Sequence, residues 1–192
     1  MPPRRPPFDP RAILAALERN YVDSVLIGGL AQVLRGADHV TGGVDICPSF
    51  AAGNLERLTR AVADLGARRL DGAPLEVTDK ALGSEAVLSL ATSAGALQII
   101  GSPAGAPKGY VDLRRAATKE HLGQGIQPLV ASVGDLARMA AALDRDQDLA
   151  RLSQLRRIME LEADREQTLS TPTPAARRPT RTSAQRGRRA AR

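Results

Sequence analysis

Aromatic residues are nearly missing from this chain, which has no tryptophan, two phenylalanines and two tyrosines in 192 residues. A core must therefore be assembled from leucine, valine, isoleucine and alanine. The same shortage counts against aromatic platforms for stacking bases. Cys47 is the only cysteine, so an internal disulfide and a cysteine-based zinc cluster are excluded. The lone thiol fits a reducing compartment. As a nucleophile Cys47 would want a histidine nearby, and only His39 and His121 exist. Its ordinary role, in an apolar stretch, is that of a small buried hydrophobe. No stretch approaches the length of a membrane span. The opening MPPRRPPF has basic residues but no hydrophobic run of signal-peptide character. These absences predict a soluble cytoplasmic protein with no membrane partner.

Acid is missing from one end. From Thr168 to Arg192 there are seven arginines (177, 178, 181, 186, 188, 189 and 192) and no Asp or Glu. The chain carries +6 overall, so subtracting this +7 leaves −1 for residues 1–167. The basic character thus belongs to the tail and not to the body. With its Pro, Ser and Thr content and few apolar residues, the segment 168–192 reads as disordered. Such a tail contacts phosphate backbones non-specifically, as RNA offers, or is simply a solvated terminus.

The body gives a mixed pattern. Asp9 and Pro10 suit a helix start, followed by Ile13, Leu14, Leu17 and Tyr21 on one face. Val25-Leu26-Ile27 is a short buried strand ending at Gly28-Gly29, with a short helix over 30–34 closed by Gly36. Val44-Asp45-Ile46 is a second strand. Asn54 is placed as the cap of a helix running to Leu65, with Gly66 as its stop. Residues 67–84 carry no clear period. Two strands, 86–92 and 96–100, form a hairpin about Ser93-Ala94-Gly95. A short helix over 110–116 and a weaker hairpin between 119–122 and 126–130 follow. Ser132 with Asp135 resembles a capping box. The last helix, 146–163, aligns Leu149, Leu152, Leu155, Ile158 and Leu161, a stripe that suits core packing and could also meet a partner. The expected organisation is a disordered N-terminus over 1–8, an α/β (α+β) domain with a small mixed sheet and flanking helices over 9–130, C-terminal helices packing on it over 131–167, and the tail.

The chemistry-bearing segment is Gly28-Gly29-Leu30-Ala31 followed by Thr41-Gly42-Gly43-Val44-Asp45. Glycines after a strand let a backbone approach phosphates, and a new helix offers free N–H groups. Acids on neighbouring strands would hold Mg²⁺ against those phosphates. A Gly-Gly pair alone is more often just a turn.

This arrangement resembles the nucleotidyltransferases of the polymerase-β superfamily, in particular the AbiEii-like, MNT-like group of bacterial toxin–antitoxin systems. The resemblance runs from about Tyr21 to Leu155. The family opens with apolar-Gly-Gly-x-Ala and continues to Gly-x-x-Arg-x-Thr-x-Asp-x-Asp. Gly28, Gly29, Ala31, Gly36, Thr41 and Asp45 match. Asn54-Leu55 at a helix start fits too, as do Ala131-Ser132 with Asp135-Leu136, Arg145 and Asp148. The resemblance implies a nucleotidyltransferase-like fold and a nucleotide site at Gly28, Gly29 and Thr41. It implies NTP and Mg²⁺ as cofactors, with NMP transfer to tRNA or protein. It also implies a toxin role with an antitoxin-like protein partner.

The departures fall on the acids. Gly43 stands where the first acid of the pair is expected and Gln98 where the third is, leaving Asp45 as the surviving acid and the one weak metal ligand. His39 replaces the arginine, Ala140 a lysine, and Gln147 the basic residue beside Asp148. Two-metal phosphoryl transfer needs several carboxylates, so a weakly active or inactive enzyme is expected. Asp38, Asp71, Glu76 and Glu85 are the acids available for rescue. A non-enzymatic scaffold binding nucleotide, RNA or protein is the alternative. Asp45 itself reads either as a vestigial metal ligand or as a strand-end acid satisfied by backbone donors. His39 and His121 read as surface or loop histidines.

Overall fold

In a computed structural model, the described residues are 7–143 and 146–170. They form a mixed α/β architecture around one seven-stranded sheet of order β3-β4-β5-β2-β1-β7-β6. The strands are β1 (Ser24–Ile27), β2 (Gly43–Pro48), β3 (Arg68–Arg69), β4 (Leu88–Thr92), β5 (Gly95–Ile99), β6 (Thr118–Lys119) and β7 (Leu129–Val130). The helices are α1 (Pro10–Arg19), α2 (Gly28–Leu34), α3 (Ala52–Asp64), α4 (Asp79–Ser84), α5 (Tyr110–Leu113), α6 (Val133–Leu143) and α7 (Asp146–Ser170).

The local signals explain most of these elements. Asp9 caps α1, its carboxylate accepting the Ala12 N–H at 3.1 Å, and Pro10 takes the first helical position. Ser132 Oγ accepts the Asp135 N–H at 3.1 Å and donates to Asp135 Oδ2 at 2.7 Å, a closed box at the head of α6. Gly66, at φ +57°, stops α3. The hairpin of β4 and β5 turns at Gly95, also left-handed at φ +116°. The second hairpin is real but shorter than its pattern suggests: β6 pairs antiparallel with β7 over two residues each.

Three expectations are revised. Asn54 does not cap α3; it lies inside the helix, 1% exposed. Its Nδ2 donates to the carbonyls of Asp23 (2.9 Å) and Ser49 (2.8 Å), and its Oδ1 accepts the Asp23 N–H (2.7 Å). A buried amide satisfied this way fastens the entrance of β1 to α3. Phe8, counted with the disordered N-terminus, packs against the core and lies over Gly95. The helix α7 continues through 168–170, past the expected start of the tail. Residues 171–192, and so all seven tail arginines, lie outside the described residues, as do residues 1–6 and Arg145.

The sheet's two faces are clothed differently. Leu26 of β1 and Ile46 of β2 line a hollow with Leu14 and Leu17 of α1. Side chains alternate along a strand, so Ile27 and Asp45 point the other way, toward α6. The leucine stripe of α7 closes this second layer. Leu152 and Leu155 are buried and Ile158 packs at the margin, whereas Leu161 is exposed. The side chain of Leu149 lies outside the described set. Cys47 is buried in β2 with its thiol pushed up to about 12 by burial, in keeping with an inert hydrophobe. Among the described residues no helix is long and apolar enough to cross a membrane.

Candidate functional site

A cavity of about 780 Å³ opens between the sheet, the head of α2, the loop before β2, and α6 with α7. Gly28, Gly29, Thr41, Gly43, Asp45 and Gln98 all line it. The strand register explains why. Antiparallel β1 and β2 set Ile27 opposite Asp45, and parallel β2 and β5 set Asp45 beside Gln98 and Gly43 beside Ala96. Residues 70 positions apart or closer in sequence thus meet at the point where β1 turns into α2. His39 and Ala140, which stand where the resemblance expects an arginine and a lysine, line the same cavity.

Both glycines are required by neighbouring side chains. Gly28 adopts φ +65°, and a Cβ there would overlap the Asp45 carboxylate, with its Cγ only 2.7 Å away. A Cβ on Gly29 would stand 2.9 Å from Thr41 Oγ1. The turn is therefore bare so that Asp45 and Thr41 can close on it. Thr41 Oγ1 in turn donates to the Gly43 carbonyl at 3.2 Å. The Gly29 N–H favours the charged form of Asp45, and α2 has only seven residues.

Asp45 titrates above the usual carboxylate range because burial penalises its charge; the Gly29 N–H, and then the Arg151 charge, pull the other way. Arg151 reaches the cavity from α7.

The described residues do not fit a two-metal centre. Among them Asp45 is the one carboxylate lining the cavity. Gly43 offers no side chain, and Gln98 a neutral carbonyl at most. Among the described residues no three His, Cys, Asp or Glu side chains gather where they could hold a metal ion. The acids available for rescue lie elsewhere: Asp38, Asp71, Glu76 and Glu85 do not line the cavity. Asp71 and Glu85 are both bound to Arg69, at 2.9 and 2.6 Å. His121 is likewise absent from the lining. The side chains of Gln147 and Asp148 lie outside the described residues.

Two cavity residues escaped the sequence reading. Gln32, on α2, is 6% exposed, and its Oε1 is enclosed without a hydrogen-bond partner. A polar residue between Ala31 and Val33 in an apolar helix was the available signal. Arg151 had none, since its place in the cavity lining depends on how α7 packs on α6. His39 was read as a surface or loop residue; it is in the loop, but both ring nitrogens are enclosed and unpartnered.

No family model and no curated protein matches the chain. Solved structures do. A Thermotoga maritima protein described as a nucleotidyltransferase is 16% identical, over 84% of this chain and 91% of that one, with a TM-score of 0.45. The antibiotic-resistance factor ANT(2'')-Ia is 12% identical in its solution structure, over 82% and 91% of the two chains, at TM-score 0.47. The crystal structure of ANT(2'')-Ia with adenylyl-2''-tobramycin is 14% identical, over 83% and 95%, at TM-score 0.47. At these identities and scores the likenesses carry no residue role across to this chain.

Proposed function

We propose that this chain is a nucleotide-binding protein of nucleotidyltransferase type in which the ligand cavity persists and metal-dependent transfer is absent or very slow. The observation that supports it is the side-by-side placement of Asp45 and Gln98 at the Gly28–Gly29 turn, with Gly43 packed on Ala96. Among the described residues a site that should concentrate carboxylates holds one, Asp45. Metal stabilisation is worth several kcal/mol of barrier, and each ~1.4 kcal/mol is tenfold in rate, so its loss costs several powers of ten.

The test is transfer itself. Incubated with each labelled NTP, Mg²⁺ or Mn²⁺, and total tRNA, the protein is expected to leave label untransferred; robust transfer overturns the reading. Restoring acids sharpens it. Gly43→Asp with Gln98→Asp should create metal binding, seen as a Mg²⁺-dependent rise in thermal midpoint that the parent lacks. A Cβ at 43 would meet the Ala96 Cβ at 3.3 Å, so Ala96→Gly belongs in the same variant.

The resemblance to the AbiEii-like group supports a place in a cytoplasmic toxin–antitoxin pair with a protein partner. The acid-free run of seven arginines favours a second contact, with RNA, through the tail. Deleting 171–192 should weaken RNA binding and flatten its salt dependence; equal binding by both forms removes the tail from the account.

A further inference from the structure

Resting on the nucleotide-binding reading above, we propose that the cavity takes its ligand at the uncharged end of the nucleotide series: it binds a nucleoside and disfavours the triphosphate. The charge of the lining points this way. Among the described residues that line the cavity, Asp45 and Arg151 are the only Asp, Glu, Lys or Arg, one of each sign. Their charges cancel, so the wall holds no surplus to set against the several negative charges of a triphosphate. Sites for polyphosphates recruit a lysine, a cradle of backbone N–H groups and metal ions. Here no lysine is in the described lining, α2 has only seven residues, and no metal-holding cluster forms among the described residues. Leu143 and Arg151 both line the cavity. The sequence between them holds Asp144, Asp146 and Asp148 against Arg145, so it adds no positive surplus either.

The mouth of the cavity is the second observation. Val40 is 96% exposed, Leu143 44% and Val87 42%, and all three belong to the lining. They come from separate parts of the chain: the loop before β2, the end of α6 and the approach to β4. A phosphate chain laid across them exchanges water for aliphatic surface and loses solvation with no counter-charge to offset it. A nucleoside loses far less, because its hydroxyls are neutral and are met by neutral groups. Gln98 and Ser102 supply such groups. Both line the cavity, and neither side chain makes a hydrogen bond among the described residues.

The test compares each ribonucleoside with its monophosphate and triphosphate by calorimetric titration of the full-length protein, in EDTA and in Mg²⁺. A nucleoside that binds should do so on the order of tenfold more tightly than its triphosphate, with the monophosphate between them, in both buffers. Added salt should narrow the gap. Two substitutions shift the charge balance. Asp45→Asn removes the negative charge, and Ser102→Lys adds a positive one at an exposed position; each should narrow the gap several-fold. If Asp45→Asn does not fold, Ser102→Lys carries the test. A triphosphate bound as tightly as its nucleoside, or more tightly, in either buffer overturns the inference and leaves the nucleotide-binding reading standing. A gap that neither substitution moves overturns it too, because charge is then not its cause. If neither nucleosides nor nucleotides bind, both fall.

Discussion

Two polar residues one turn apart, Gln32 within α2 and Arg35 just after it, are treated in opposite ways. Arg35 is heavily bonded. Its Nε donates to the Ala131 carbonyl at 2.9 Å, Nη2 to the Val130 carbonyl and Thr118 Oγ1 at 2.8 Å, and Nη1 pairs with Glu120 at 2.5 Å. The guanidinium ties the helix to β6, β7 and the head of α6, with four of its five N–H groups bonded. One turn earlier, Gln32 is as enclosed and makes none of the bonds its oxygen needs. Burial alone therefore does not separate the two groups; satisfaction does.

Substitutions around α2 can break or sharpen that contrast. The largest effect is expected from Gly28→Ala. A left-handed backbone costs an ordinary residue about 1–2 kcal/mol and overpacking about 1–3 kcal/mol, so urea unfolding should show a loss of roughly 2–5 kcal/mol. Adding Asp45→Ala should return only part of the steric loss, since it removes the carboxylate but leaves the Asp45 Cβ 2.9 Å from the new methyl. Purely additive losses would show that Asp45 does not set the turn.

Next in size is Arg35→Ala. It removes a side chain that is 13% exposed and strands Glu120, so a loss of about 2–3 kcal/mol is expected. A near-zero change would place the Arg35 bonds among those that solvent replaces, and the contrast with Gln32 would fail.

The smallest effect belongs to Asp45→Asn. The folded protein holds this carboxyl above its ordinary range, so its contribution is fully present below the unfolded-state value and is lost as pH rises through the folded one. Asparagine does not titrate but can still accept the Gly29 N–H. Its stability relative to the parent should therefore improve as pH climbs from acid to neutral. A relative stability that falls over that interval would mean the Arg151 attraction outweighs desolvation.

Legibility from sequence followed the range of the forces involved. Asp9-Pro10, Gly66 and the Ser132–Asp135 box act within a few residues, and each marks an element boundary. The glycine turn and Asp45 were legible as a group because strand alternation and register bring them together. Their physical role was not: nothing in Gly28-Gly29 says whether the missing side chains make room for phosphate or for Asp45 and Thr41. Asn54 looked like a cap because caps and buried amide anchors use the same residue type; only its partners across β1 distinguish them. The 67–84 segment hid α4, whose Thr78 cap is local but whose only buried side chain is Leu82. Arg151 was invisible because its position depends on how α7 packs on α6.

The contact between Gly43 and Ala96 couples the two positions. On the central strand pair the space beside residue 43 is already occupied by its neighbour's methyl group, 3.3 Å from where a new Cβ would stand. A side chain at 43 therefore requires residue 96 to give by a few tenths of an ångström, so the tolerance of position 43 is set by its neighbour across the strand pair and not by position 43 alone.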